Sequence, residues 1–422
     1  MNANRSGSKY GLAWLSGTAL LIGLAGCGHD DYYYAAPGGS GSGHNTVGYT
    51  PNSIAIADIN GDGVPDLLVA TTIDQYQNNN PGFAGVYLGV TNIPGTYQTG
   101  VQYSTTGTNP SGIAVVDLTN SGSKDLVVSN FGSGTASVFM HNPATAGTFL
   151  AAVTLTTGGQ PNQVVSADIN GDGLPDLVFA DMSGNVIVML QNTSTPGQFA
   201  APMSLATNGQ TASVAIADVN GDGKPDIVAT VYDNNGNNGA VLVFLQSAST
   251  PGTFATPVSY PAGAQPEAVR IADVNGDGLP DLVVANYGPG TDGTGTSGVS
   301  VLLQNSATAG TFLAPVTYPT PWGAVDVAVG DLNGDGKPDL VVASIGPEPT
   351  GAVSVLLQST TTAGTFGAAQ VYPGDGQPLS VAIGDLDGDG HPDIAVADGF
   401  SATVLLQNPS SLGTFNPPAP VN

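Results

Sequence analysis

The nine residues Asp218-Val219-Asn220-Gly221-Asp222-Gly223-Lys224-Pro225-Asp226 alternate oxygen-bearing side chains with turn-forming residues, a pattern that can wrap a hard cation. Asp218, Asn220 and Asp222 offer oxygens at positions 1, 3 and 5, and Asp226 closes the loop at position 9. Gly223 permits the sharp turn, and position 7 adds a backbone carbonyl. That makes about five protein ligands, with water completing the roughly six to eight oxygens that Ca²⁺ takes. Mg²⁺ fits such a loop less well. The phrase also begins at Asp58, Asp117, Asp168, Asp273, Asp331 and Asp385, so the copies follow one another at intervals of 59, 51, 50, 55, 58 and 54 residues.

A loop of this kind must be held between rigid elements, and the flanking sequence supplies short strands. In the sixth unit, residues 325–329 lead into the loop at Asp331 and 339–343 lead out, followed by runs at 353–358 and 365–372. The runs are rich in Val, Leu and Ile and are bounded by Gly, Pro, Asn or Ser, too short for amphipathic helices. An aromatic in or near the phrase Gly-Thr-Phe marks the same register at Tyr97, Phe149, Phe199, Phe254, Phe312, Phe366 and Phe415, and is read as blade-to-blade packing. Four short strands repeated seven times predict an all-β chain, a seven-bladed β-propeller of four-stranded antiparallel blades. A stacked array or β-helix is the other architecture, disfavoured by the long four-strand period. Two ring closures are open: an N-terminal strand carrying Val47 and Tyr49 completes the last blade, or the run from Phe415 to Val421 does so alone.

The loop opens like an EF-hand, but position 12, where that motif needs a bidentate Glu, holds Val69, Val128, Phe179, Ala229, Val284, Val342 and Val396. Closed by Asp at position 9 and flanked by strands, it resembles instead the calcium-binding hairpin of the FG-GAP and VCBS repeat family, repeats also found in the integrin alpha-subunit propeller. The resemblance covers nearly all of residues 50–422, although the Phe-Gly and Gly-Ala-Pro phrases that name the family are not kept. It implies a cation between the first two strands of a blade. The ligands it implies are Asp58, Asn60, Asp62 and Asp66; Asp168, Asn170, Asp172 and Asp176; and Asp218, Asn220, Asp222 and Asp226. The later copies give Asp273, Asn275, Asp277 and Asp281; Asp331, Asn333, Asp335 and Asp339; and Asp385, Asp387, Asp389 and Asp393. The copy at Asp117 has Thr119 and Ser121 at its inner positions and Lys124 beside the site, so it is expected to be weak or empty. About six structural Ca²⁺ sites are therefore expected.

Composition agrees with that reading. The 60 Gly and 31 Pro argue against long helices, and 32 acidic against six basic residues give a formal charge of −26. Nucleic acid is an improbable partner for such a surface. Loop aspartates account for most of the acid. Cys27 is the only cysteine, so no intramolecular disulfide forms. Arg5 and Lys9, the apolar stretch 12–24 and then Leu24-Ala25-Gly26-Cys27 resemble a bacterial lipoprotein signal. This implies a signal peptide at 1–26, a lipid on Cys27 as the membrane attachment, a tether at 27–46 and the propeller at 47–422. An ordinary secretory signal is the other reading, and both take the protein out of the cytoplasm, the first to the bacterial cell envelope. His29 and His44 fall in the Gly/Ser-rich tether and are read as spacer residues.

In an up-and-down blade, the second connection shares a face with the crossing to the next blade, opposite the loops. Residues 71–85, 232–239, 287–298 and 345–351 are long insertions there, with Trp322 in a crossing and a short connection at 181–185. They suggest an aromatic, Asn-rich rim, or else loops that simply tolerate insertion. His141 and His391 sit beside no evident nucleophile, and no catalytic residue is assigned. Arg270, where other units have Ala55, Ala114 and Ala215, is read as an ion pair with Glu267 or Asp326, or as a channel contact. The expected function is a surface binding or adhesion module for protein or glycan. The alternatives are a carbohydrate-active enzyme, a lyase or hydrolase, and an envelope scaffold without a small ligand.

Overall fold

The computed structural model describes residues 49–73, 81–93, 95–233, 239–288, 297–346, 351–374, 376–399 and 401–421. The expected signal and tether segments, 1–26 and 27–46, lie outside these. Among the described residues, seven four-stranded antiparallel sheets form, each built from four strands consecutive in the chain, with one 3₁₀ turn at Phe131–Ser133. The chain is an all-β, seven-bladed propeller. The innermost strands are Tyr49–Ala57, Pro110–Val116, Pro161–Ala167, Val214–Ala217, Pro266–Ala272, Gly323–Gly330 and Pro378–Gly384.

The second strands are almost wholly buried because each is covered on both faces. Leu67 and Val69 face the last blade while Leu68 and Ala70 face the second, and one such apolar cluster fills each of the seven blade interfaces. Burial on both faces is why these strands read as continuous apolar runs. The inner strands are sheet edges, which is where proline is tolerated; pairing shifts register beside Pro51, Pro110, Pro266 and Pro378. Several inner-strand N–H groups instead donate to a side chain of the preceding blade: Val214 to Gln163 Oε1 at 2.8 Å, Val269 to Ser213 Oγ at 3.1 Å and Val381 to Asp326 Oδ2 at 3.0 Å.

The ring closes by packing. Ile54, Leu67 and Val69 meet Leu386, Ala395 and Val404, and Ala419–Pro420 alone supplies the last blade's outer strand. Tyr49 belongs to the first blade, pairing with Ile73, so no N-terminal strand completes the last blade among the described residues.

The fourth strands start later than the sequence suggested. In the sixth blade the strand is Gln370–Pro373, while Phe366 makes a single bridge to Gln358 across a turn held by Gly364 at φ +70°. That turn aims the aromatic into the neighbouring blade. Tyr318 and Phe366, Tyr260 and Phe312, Tyr103 and Phe149, and Tyr372 and Phe415 stack edge to face with centroids 5.3–5.8 Å apart, each tyrosine from the preceding blade. The aromatics thus pack blade to blade, as expected.

Candidate metal centres

Each loop joins the first and second strands of a blade, and its own side chains hold it shut. In the fifth copy Asp273 accepts the N–H groups of Gly276 and Gly278 at 2.7 and 2.8 Å, Asn275 Oδ1 that of Asp277 at 2.8 Å, and Asp277 Oδ1 that of Leu279 at 2.9 Å. These bonds close only if positions 4 and 6 turn left-handed, at φ +75° and +85° here, which glycine adopts without strain. The other intact copies repeat the pattern at Asp58, Asp168, Asp218, Asp331 and Asp385. The residue at position 2 is buried in every copy and anchors the loop in the core.

Position 9 is different in kind. Asp66, Asp176, Asp226, Asp281, Asp339 and Asp393 are fully buried, and each accepts two backbone N–H bonds. Asp281 Oδ2 takes that of Val274 at 3.0 Å, and Oδ1 that of Gln304 at 2.7 Å. Burial pushes the carboxyls of Asp66, Asp176, Asp281 and Asp393 up to about 6 against these donors, with repulsion from the loop's other aspartates adding. Asp226 and Asp339 are raised for the same reasons. Carboxylates crowded at the cost of their own ionisation are what a divalent cation relieves.

The donor set fits such an ion. In the last copy, carboxylate oxygens of Asp385, Asp387 and Asp393 lie within 4.8 Å of one another, and Asp387 is raised by burial and by Asp389 and Asp385. In the other intact copies position 3 is the amide of Asn60, Asn170, Asn220, Asn275 or Asn333; where Asn60, Asn170 and Asn275 donate Nδ2 to Asp62, Asp172 and Asp277, the position-5 carboxylate leans toward position 3. Among the described residues the structure thus gathers Asp385, Asp387 and Asp393 into one cluster, while in the other five intact copies the carboxylates at positions 1, 5 and 9 do not come that close together. Lys224 and Lys337, at position 7, point away from the carboxylates and donate to backbone carbonyls, that of Ala248 at 2.6 Å and that of Ser359 at 3.1 Å.

The copy at Asp117 keeps the fold of the loop without its donors. Asn120 takes the left-handed turn at φ +53° and donates to the Gly173 carbonyl of the next loop. Burial alone would raise Asp117, but the N–H groups of Ser121 and Gly122 outweigh it, and its carboxyl titrates below the usual range. His141 Nδ1 sits 3.1 Å from Asp125 Oδ1, engaging the carboxylate at position 9. Arg270 pairs with Asp326 across two blades, which settles its partner, and Asp326 also accepts the N–H groups of Val327 and Val381.

Sequence reasoning missed the bracket around position 9. Gln191, Gln246, Gln304, Gln358 and Gln407 follow the third strands by two residues, each eight residues before the aromatic landmark, a spacing that was available as a signal. Each gives its backbone N–H to the position-9 carboxylate and its Nε2 to a proline carbonyl at position 8, Gln304 to Pro280 at 2.8 Å.

On the opposite face, residues 74–80, 234–238, 289–296 and 347–350 of the suggested rim lie outside the described residues. Tyr232 is buried beside Met182 and Ala212 and is no rim residue. A cleft of about 700 Å³ opens over the short turn after Asp181, flanked by the crossings at Gln160 and Asn208. Its polar lining is amide-rich, from Gln160, Asn185, Asn208 and Gln210, with no charged side chain. Asp181, buried beneath, accepts the N–H groups of Gln160 and Ser183 at 2.6 and 3.0 Å and fixes the floor. Asn208 is held at φ +60°, and Gln210 Oε1 is buried without a hydrogen-bond partner among the described residues.

Comparison with solved structures finds the same architecture at low identity. A crystal structure titled as a putative 6-phosphogluconolactonase from Bacteroides uniformis aligns with a TM-score of 0.54 and 14% identity over 83% of this chain and 94% of that one. The structure of BBS1N in complex with ARL6DN aligns with a TM-score of 0.50 and 12% identity over 84% and 90%. No curated protein matches the sequence. The FG-GAP-like repeat model matches residues 117–179, 168–229, 228–284, 273–342 and 334–396, each match beginning at or near one loop and ending in the second strand after the next, and the FG-GAP repeat model matches 50–86. With its repeated loops in their blades and these matches spanning most of the ring, the chain belongs to the FG-GAP repeat family.

Proposed function

We propose that this propeller is an exported, non-enzymatic binding module, held to a bacterial envelope through a lipid on Cys27 and built around six structural Ca²⁺ ions, that binds a neutral glycan on the face opposite its loops. The cleft over Asp181 carries this reading. Side-chain amides both donate and accept hydrogen bonds, as sugar hydroxyls do, and the uncharged lining neither attracts nor repels an ionic ligand. The partnerless Oε1 of Gln210 leaves an acceptor for a ligand hydroxyl. The test is retention on a panel of neutral and acidic oligosaccharides, comparing the native chain with Asn185→Ala and Gln160→Ala. Retention of neutral glycans, weakened at least about tenfold by either variant, is expected, as for the loss of a ligand hydrogen bond. No retention, or retention indifferent to both variants, overturns the glycan reading, and capture of a protein ligand through the same residues would replace it. The lipid is tested separately, by release of Cys27→Ala from the membrane fraction.

A further inference from the structure

The glutamine bracket does more than hold its own loop. Gln304 Oε1 accepts the N–H of Gly310 at 3.4 Å, and Gly310, at φ +72°, lies against the loop of the preceding blade: a Cβ there would sit 3.0 Å from Cβ of Asn220, that loop's position 3. The same contact recurs between Gly252 and Asn170, Gly364 and Asn275, and Gly413 and Asn333. In each of these blades the glutamine Oε1 accepts the glycine N–H. Gln358 reaches further, its Nε2 also donating to the Val274 carbonyl of the preceding loop at 2.8 Å. A physical chain therefore runs from position 3 of one loop, through the glycine turn resting on it, to the glutamine that clamps positions 8 and 9 of the next.

The chain has ends. In the second blade His141 stands in the glutamine's place, and Gly197 of the third meets Met140 but nothing of the degenerate loop. In the first blade the position is Gly89, which gives Asp66 its N–H but has no side chain to clamp with. Glycine turns also rest on Asn60 (Gly147) and on Asp387 (Gly95), but no glutamine carries those contacts on to Asp125 or Asp66, so the loops from Asp168 to Asp385 are linked in a row and the loop at Asp58 stands outside it.

We propose that the five loops beginning at Asp168, Asp218, Asp273, Asp331 and Asp385 bind their cations as a coupled row, with Gln246, Gln304, Gln358 and Gln407 as the positioning residues, while the loop at Asp58 binds independently. This rests on the cation reading of the loops. A cation that draws in the position-3 oxygen fixes the surface on which the next glycine turn sits, and a seated turn holds the glutamine that orders the next loop.

The experiment is a Ca²⁺ titration of the full chain by calorimetry, with native mass spectrometry to resolve partly loaded species. Expected are six ions, intermediate loadings under-populated relative to independent sites, and a Hill coefficient above 1. Asp277→Asn should remove one ion and weaken those remaining in the row by about fivefold or more, a typical coupling, whereas Asp62→Asn should remove one ion and leave the rest unchanged. Gln304→Ala should keep six ions but lower the Hill coefficient by cutting one of the four links, and Gln304→Glu, which can still accept from Gly310, should restore part of it. If Gln304→Ala does not fold, the two aspartate variants decide alone. Six independent ions, with Asp277→Asn and Asp62→Asn behaving alike, would overturn the coupling and leave the cation reading intact. Absence of Ca²⁺ binding would overturn the cation reading itself.

Discussion

Withdrawal of calcium should cost this propeller much of its stability, by an amount that counts the ions. An ion that binds only the folded loop stabilises by about 2.7 kcal/mol at a free concentration 100 times its dissociation constant. Six complete loops would then contribute about 16 kcal/mol, comparable to the whole stability of a typical domain at about 5–15 kcal/mol. The slope against concentration is a sharper quantity than the total. With every site near saturation, each bound ion adds about 1.4 kcal/mol per decade of free Ca²⁺, so six add about 8 kcal/mol. The unfolding entropy of about 370 residues at roughly 2.1 cal/mol/K each is about 0.8 kcal/mol/K. The melting temperature should therefore rise by about 10 °C per decade for six ions and about 2 °C for one. The assay is scanning calorimetry in calcium buffers at fixed Mg²⁺, with the scan rate varied to exclude kinetic control. A flat melting temperature refutes the structural role of the cations, and a slope near 2 °C per decade refutes the inference that six loops are competent.

Two further substitutions probe the contacts between blades. Arg270 is about a third exposed, so Arg270→Ala should cost about 1–2 kcal/mol, whereas Asp326→Ala removes an acceptor used by Arg270 and by the N–H groups of Val327 and Val381 and should cost about 3–5 kcal/mol; denaturant titration giving the reverse order would refute the assignment of Asp326 as the hub. Tyr372→Phe keeps the edge-to-face ring contact but leaves the buried N–H of Phe415 without the hydroxyl that accepts it at 3.1 Å, and should cost about 1–2 kcal/mol in calorimetry without changing the number of ions bound.

The loops were legible because their turn, closed by Asp and Asn side chains on the loop's own N–H groups, demands particular residue types at fixed positions, and a hydrophobic twelfth residue separates them from the EF-hand. The blades were legible because the middles of strands buried on both faces are held to apolar residues, as at Leu67, Leu68, Val69 and Ala70. What escaped has a common cause: its meaning lies in partners far along the chain. Gln304 reads as an ordinary strand-end residue until Asp281, Pro280 and Gly310 are placed around it. Arg270 could choose between two acids only once the blade containing Asp326 was packed beside its own. Tyr232 looked like a rim aromatic because it opens a long insertion, yet it caps a small core with Met182 and Ala212.

The same reasoning says where a ligand site should be sought. A residue that recurs in every blade is explained by what every blade needs, a closed loop, a buried second strand or an aromatic wedge, and a seven-fold need is structural. Binding one ligand needs an asymmetric surface, so the informative residues are those that break the repeat. His141 breaks it beside a loop that has lost its donors, and Arg270 breaks it in an ion pair already satisfied by Asp326. The turn over Asp181 breaks it too, since between the crossings at Gln160 and Asn208 it leaves a cleft with amides on its walls and an acceptor left over.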